Sequence, residues 1–136
     1  MAARSKARKR AVDILYEADL RGRDRVELLH ERVADAATPP VHDHTVRLVE
    51  GVAENAARID ELIDRHAHGW SIDRLPDVDR AILRMAVFEL LWVDDVPDPV
   101  VIDEAVELAR SLSTDDSPPY VNGVLGAILD AEVPTT

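Results

Sequence analysis

The chain has 136 residues, 46% of them hydrophobic, no cysteine and a formal net charge of −11 at pH 7. That length fits one domain burying roughly two-thirds of its unfolded surface. The missing cysteines exclude a disulfide framework, a thiol nucleophile and a thiolate metal site. A mean hydropathy of −0.15 fits a soluble protein, and the absence of cysteine fits a reducing, cytoplasmic compartment. No apolar run approaches the ~20 residues of a membrane span. The basic start is not a secretory signal either, because Asp13, Glu17 and Asp19 interrupt the apolar residues that follow it.

Nearly every segment repeats its apolar residues at three and four, and none alternates at two, so the chain is read as all-α. A first helix over about 4–20 places Ala11, Ile14, Leu15 and Ala18 on one stripe and ends at Gly22. A second runs from Asp24 with Val26, Leu29 and Val33 inward, until Pro39 and Pro40 stop it. A long third helix carries Val46, Val49, Val52, Ala56, Ile59 and Ile63 and ends near Gly69. Residues 78–92 are apolar at 11 of 15 positions, which marks a helix enclosed by others. Phe88 and Trp92 share a face of it.

Asp98-Pro99 opens the next helix as N-cap and first helical residue, with Val101, Ala105, Leu108 and Leu112 inward. Ser117-Pro118 repeats that signature before Val121, Val124, Leu125, Ile128 and Leu129, and the final Pro-Thr-Thr is expected to fray. The expected architecture is a compact helical bundle of about seven helices around one central hydrophobic helix. It forms a single domain over 1–136, with a soft subdomain seam near 69–77.

Charge is distributed unevenly. Arg4, Lys6, Arg8, Lys9 and Arg10 give residues 1–10 a charge of +5, so residues 11–136 carry −16 from 11 bases against 27 acids. An acidic body repels polyanions, and this first stretch is the one place suited to a phosphate backbone. On a helix these cations would make point contacts to a bent single strand. The plainer alternative is a basic tail that aids solubility. A second constellation is Tyr120 and Asn122 in the first turns of the last helix, since an exposed Tyr stacks on bases and an Asn bonds base edges. Gly123 and Ala127, one turn apart, leave room for another helix.

Other chemistries find little support. His42 with His44, and His66 with His68, stand two apart, which points each pair to different helix faces and disfavours chelation. No nucleophile arrangement, Gly-rich phosphate loop or cofactor fingerprint accompanies the many carboxylates, so no enzyme, cofactor or metal is expected. Trp70, Phe88 and Trp92 are expected to be packing residues.

The chain also resembles the NusB family of transcription antitermination factors nearly end to end. The resemblance rests on Ala7–Tyr16 (ARKRAVDILY), Asp77–Arg84 (DVDRAILR), Asp95–Pro97, Ile102–Ala109 (IDEAVELA), and Asp116-Ser117 with Tyr120–Leu125 (YVNGVL). It implies an all-helical fold of two small bundles and a factor that binds the single-stranded boxA element of ribosomal RNA leader transcripts. The implied partners are NusE, a small-subunit ribosomal protein, together with other Nus factors and RNA polymerase. By position it assigns Arg4, Lys6, Arg8, Lys9, Asp116 and Tyr120 to RNA, and Tyr16 and Asp79, with the neighbouring Arg80, to NusE.

Pro118-Pro119 departs from the family, removing polar groups beside Tyr120. Some relatives self-associate, which leaves a homodimer open. Asp79, at a helix N-terminal turn, is expected to tolerate a change to Lys at under about 1 kcal/mol. Two other readings stand beside this one: a helical protein-interaction adaptor without direct RNA binding, and an accessory module of an RNA methyltransferase. The chain has no room for the latter's catalytic half.

Overall fold

Helix α5 (Asp77–Trp92) is the axis of the molecule, with Ala81, Ile82, Leu83, Met85, Val87 and Leu90 buried around its circumference. Such a helix must be covered on several sides. Helices α1 (Ala3–Arg21), α3 (Asp43–Glu54), α4 (Ala56–His66), α6 (Asp98–Leu112) and α7 (Ser117–Glu132) all pack on it, while α2 (Arg25–Ala34) lies against α1 and α3. The computed structural model describes residues 3–67 and 71–132; among these are seven α-helices, a short 3-10 turn over Ile72–Arg74 and no strand. Gly69, His68, Trp70 and the final Pro-Thr-Thr fall outside the described residues.

The expected long third helix is two helices, because Asn55 interrupts it. Its backbone N–H and its side-chain Nδ2 both donate to the Gly51 carbonyl, at 3.1 and 2.9 Å, and its φ of −116° leaves the helical range. A local side-chain bond of this kind competes with the helix ladder. The apolar period runs through the break unchanged, which is why periodicity alone does not reveal it. Gly51 itself has a packing reason: the Phe88 ring occupies the space a Cβ would take. Phe88 in turn stacks on Trp92, with centroids 5.8 Å apart and an 11° interplanar angle.

The smaller departures are at helix ends. Asp24 caps α2 as expected, accepting from Glu27 N–H at 3.0 Å, but α2 ends at Ala34, short of the prolines. Leu28 and Leu29 are its buried residues, and Val33 is exposed. Pro97, not Asp98, precedes α6, and Ser117 is already the first residue of α7.

Candidate nucleic-acid and partner interfaces

Arg8 lies three residues before Ala11 and seven before Leu15, so it continues the apolar stripe of α1 and points inward with them. It is 3% exposed. Its Nε and Nη2 donate to the two oxygens of Glu89, each at 2.7 Å, and its Nη1 donates to Glu104 Oε1 at 3.0 Å. His44 completes the node from α3, with Nε2 at 2.9 Å from Glu89 Oε2. A carboxylate only accepts, so Nε2 carries the proton.

Burial by itself would raise the Glu89 carboxyl's pKa. The hydrogen bonds from His44 and Arg8 outweigh that and hold it below its usual range. Burial would likewise lower the Arg8 guanidinium, and Glu89 and then Glu104 more than compensate. Beside the node, Thr45 Oγ1 donates to the Ala7 carbonyl at 2.8 Å. Four helices are thereby joined through one buried, bidentate pair. Arg8 is accordingly a structural residue rather than a surface cation, which corrects its expected place on the RNA face.

The other four cations of the arm are at the surface or half-buried. Arg4 Nη2 meets Asp95 Oδ2 at 3.0 Å, and Lys9 Nζ meets Asp13 one turn on at 3.0 Å. Arg10 reaches only the Pro39 carbonyl, at 3.4 Å, and Lys6 has no ion pair among the described residues. Exposed pairs of this kind are worth about 0–1 kcal/mol and exchange easily.

Asp79 and Tyr120 meet at the other end of α5. With Leu75, Pro76, Thr114, Asp116 and Ser117 they line a cleft of about 370 Å³. Ser117 Oγ donates to Asp79 Oδ2 at 2.9 Å, whereas Asp79 Oδ1 and the Tyr120 hydroxyl are buried without a described partner. Burial and then the nearby Asp79 charge raise the Tyr120 pKa, so its hydroxyl keeps its proton. The cleft therefore holds two carboxylates, a buried unpaired acceptor oxygen on Asp79, a buried unpaired hydroxyl on Tyr120 and no cation among its lining residues. Asp79 is 4% exposed, so a lysine there would bury an unpaired charge. The small cost expected for that substitution does not hold.

Tyr16 is half-buried on α1, toward the end where Asp19 pairs with Arg80 at 2.9 Å and with Arg84 at 3.5 Å. Asp79, Asp116 and Tyr120 thus share the cleft at one end of α5, with Arg80 beside Asp79 in sequence, and exposed Asn122 follows on α7. The Arg80 guanidinium is engaged internally by Asp19, Asp77 and the Ile72 and Leu75 carbonyls, which ties the 3-10 turn to α5. Arg80 is a strap, not a free contact residue.

The antiparallel crossing of α1 and α5 pairs Arg8 with Glu89 and Asp19 with Arg80. Ten residues of α5 separate Asp79 from Glu89, about 15 Å at 1.5 Å per residue. The Arg8 node and the cleft of Asp79 and Tyr120 are therefore about 15 Å apart along α5. Among the described histidines, His42 accepts the His44 N–H at 2.9 Å and His44 serves Glu89, so neither presents a free chelating pair.

Two residues went unnoticed in the sequence. Glu89 carried a signal, a lone acid in an otherwise apolar stretch, which demands a buried cation. Arg47 carried none, since only the packing of α3 on α1 brings it near the arm.

The comparisons with known proteins agree with this architecture. A family model described as the NusB family matches residues 5–130. The transcription antitermination protein NusB of Saccharopolyspora erythraea is 64% identical over 129 residues, covering 94% of this chain and 87% of the relative. A crystal form of T. maritima NusB superposes with a TM-score of 0.87 at 35% identity, covering 98% of this chain and 94% of that one. A structure of the antitermination factors NusB and NusE in complex with dsRNA superposes with a TM-score of 0.81 at 34% identity, covering 94% and 96%. No helix among the described residues is long and apolar enough to cross a membrane. A match over this much of the sequence and fold places the chain in the NusB family of transcription antitermination factors.

Proposed function

We propose that this chain acts in the cytoplasm as an antitermination factor that binds single-stranded boxA RNA of ribosomal leader transcripts together with NusE. In that complex it connects the transcript to the other Nus factors and RNA polymerase. The observation that carries the reading is charge placement: a chain of net −11 keeps exposed Lys6 and Lys9 and half-buried Arg10 on one helix start. A solved relative seen with NusE and dsRNA supports the choice of partners.

In this reading phosphates meet the outer face of α1. Asp116, Tyr120 and Asn122, at the acidic end, receive base edges and ring faces rather than phosphates. A strand touching both patches spans at least about 15 Å, within the reach of a few nucleotides. Asp79 and Tyr16 face NusE, and a cleft whose charged lining residues are both acids suits the cationic side chains of a ribosomal protein.

The test is anisotropy of a labelled boxA oligonucleotide, single-stranded and duplex, with and without NusE across a salt series. Replacing Lys6 and Lys9 by Ala is expected to weaken binding and to flatten the log–log salt slope by roughly 0.7 per lost phosphate contact. Wild-type affinity and slope in that variant would favour the adaptor reading, in which the protein meets other proteins only.

A further inference from the structure

The second wall of the cationic surface comes from α3. Asp95, on the turn between α5 and α6, offers one carboxylate oxygen to each of two arginines. Its Oδ2 is 3.0 Å from Arg4 Nη2, and its Oδ1 is 3.7 Å from Arg47 Nη1. Arg4, Arg47 and Asp95 have side chains 41%, 49% and 56% exposed, so the cluster lies open to solvent. No other acid pairs with either arginine among the described ion pairs. Glu104, the neighbouring acid of α6, is already engaged by Ser5 and Arg8, and Asp94 is exposed without a described partner.

Two guanidinium groups held on either side of one singly charged oxyanion form a geometry that a phosphodiester can also occupy. It carries the same charge and the same two acceptor oxygens. An exposed carboxylate holds such a position weakly. We propose that Arg47 is a phosphate-contacting residue continuous with Arg4 and the α1 arm, and that Asp95 is a placeholder displaced by an RNA phosphate. In the free protein Asp95 pairs with both arginines and masks their charge. On binding, a backbone phosphate takes its place between them. This inference rests on the RNA-binding reading above and adds a residue and a regulating acid to it.

The experiment uses the full chain with NusE and the labelled single-stranded boxA oligonucleotide, in a salt series. Arg47→Ala is expected to weaken binding several-fold and to reduce the salt slope by roughly 0.7, the value of one phosphate contact on a single strand. Asp95→Asn is expected to tighten binding several-fold at low salt. Both changes are on the surface, so helical content by circular dichroism should match the wild type. If Lys6→Ala weakens binding while Arg47→Ala leaves affinity and slope untouched, Arg47 is not a contact and the proposal fails. Unchanged or weaker binding by Asp95→Asn removes the placeholder role. Absence of binding by the wild type would instead overturn the RNA reading beneath both.

Discussion

The two ends of α5 handle buried charge in opposite ways. At one end Glu89 is enclosed by Arg8 and His44, and each of its oxygens is met. At the other, Asp79 keeps one oxygen bonded to Ser117 and one without a partner, beside a Tyr120 hydroxyl equally alone. A satisfied buried ion pair joins helices and presents nothing to a ligand. A carboxylate met on one oxygen only keeps a desolvated acceptor ready for an incoming donor, at a standing cost to the free protein. The cation expected to face RNA belongs to the first kind, and the acid expected to face a protein belongs to the second.

The sharpest way to break this contrast is Arg8→Ala. Removing one partner of a buried pair strands the other charge, and the expected loss is about 3–5 kcal/mol in urea unfolding. A loss below about 1 kcal/mol, the range of exposed pairs, would return Arg8 to the surface. The same node predicts acid sensitivity. Glu89 is held below its ordinary 4.5 in the folded state. Its stabilisation is thus complete above the unfolded value and lost as pH falls through the lowered folded one. The urea midpoint of the wild type should fall in that window, and Glu89→Gln, though destabilised throughout, should show a shallower decline.

Ser117→Ala tests the opposite end with a smaller effect. It takes away the described hydrogen bond of Asp79 and is expected to cost about 1–3 kcal/mol, the penalty for a buried group left unpaired. Binding of NusE by calorimetry would sharpen the point, since a partner that supplies a donor to Asp79 should recover part of that loss. Smallest of all is Tyr120→Phe. The hydroxyl it removes has no described partner, so stability should move by less than about 1 kcal/mol, in either direction. A larger loss by thermal melting would mean the hydroxyl is bonded after all.

The departures between pattern and structure follow from what each side chain has to satisfy. The apolar period located α1, α5, α6 and α7 to within a few residues, because burial of a stripe dominates helix formation. It passed over Asn55, where one side-chain amide outweighs a continuing stripe. Net charge marked the first ten residues, but charge counting does not distinguish Arg8 from Lys6, although the helical phase of Arg8 already set it on the stripe of Ala11 and Leu15. The cleft joins Asp79 to Asp116, Ser117 and Tyr120, 37 to 41 positions further on, and the resemblance to relatives divides Asp79 from Asp116 and Tyr120 between two different partners.

What the amino-acid order determined alone is the helical class, the enclosed central helix, the family and the cationic start in an acidic chain. Each of these depends on periodicity, motif spacing or composition, which are properties along the chain. Tertiary packing decided which cation is internal, which acid faces Arg47, and that the Arg8 node and the Asp79 cleft lie about 15 Å apart along α5. Those outcomes depend on pairings between distant helices. A guanidinium has the same charge in water or against Glu89, and only the fold selects its surroundings.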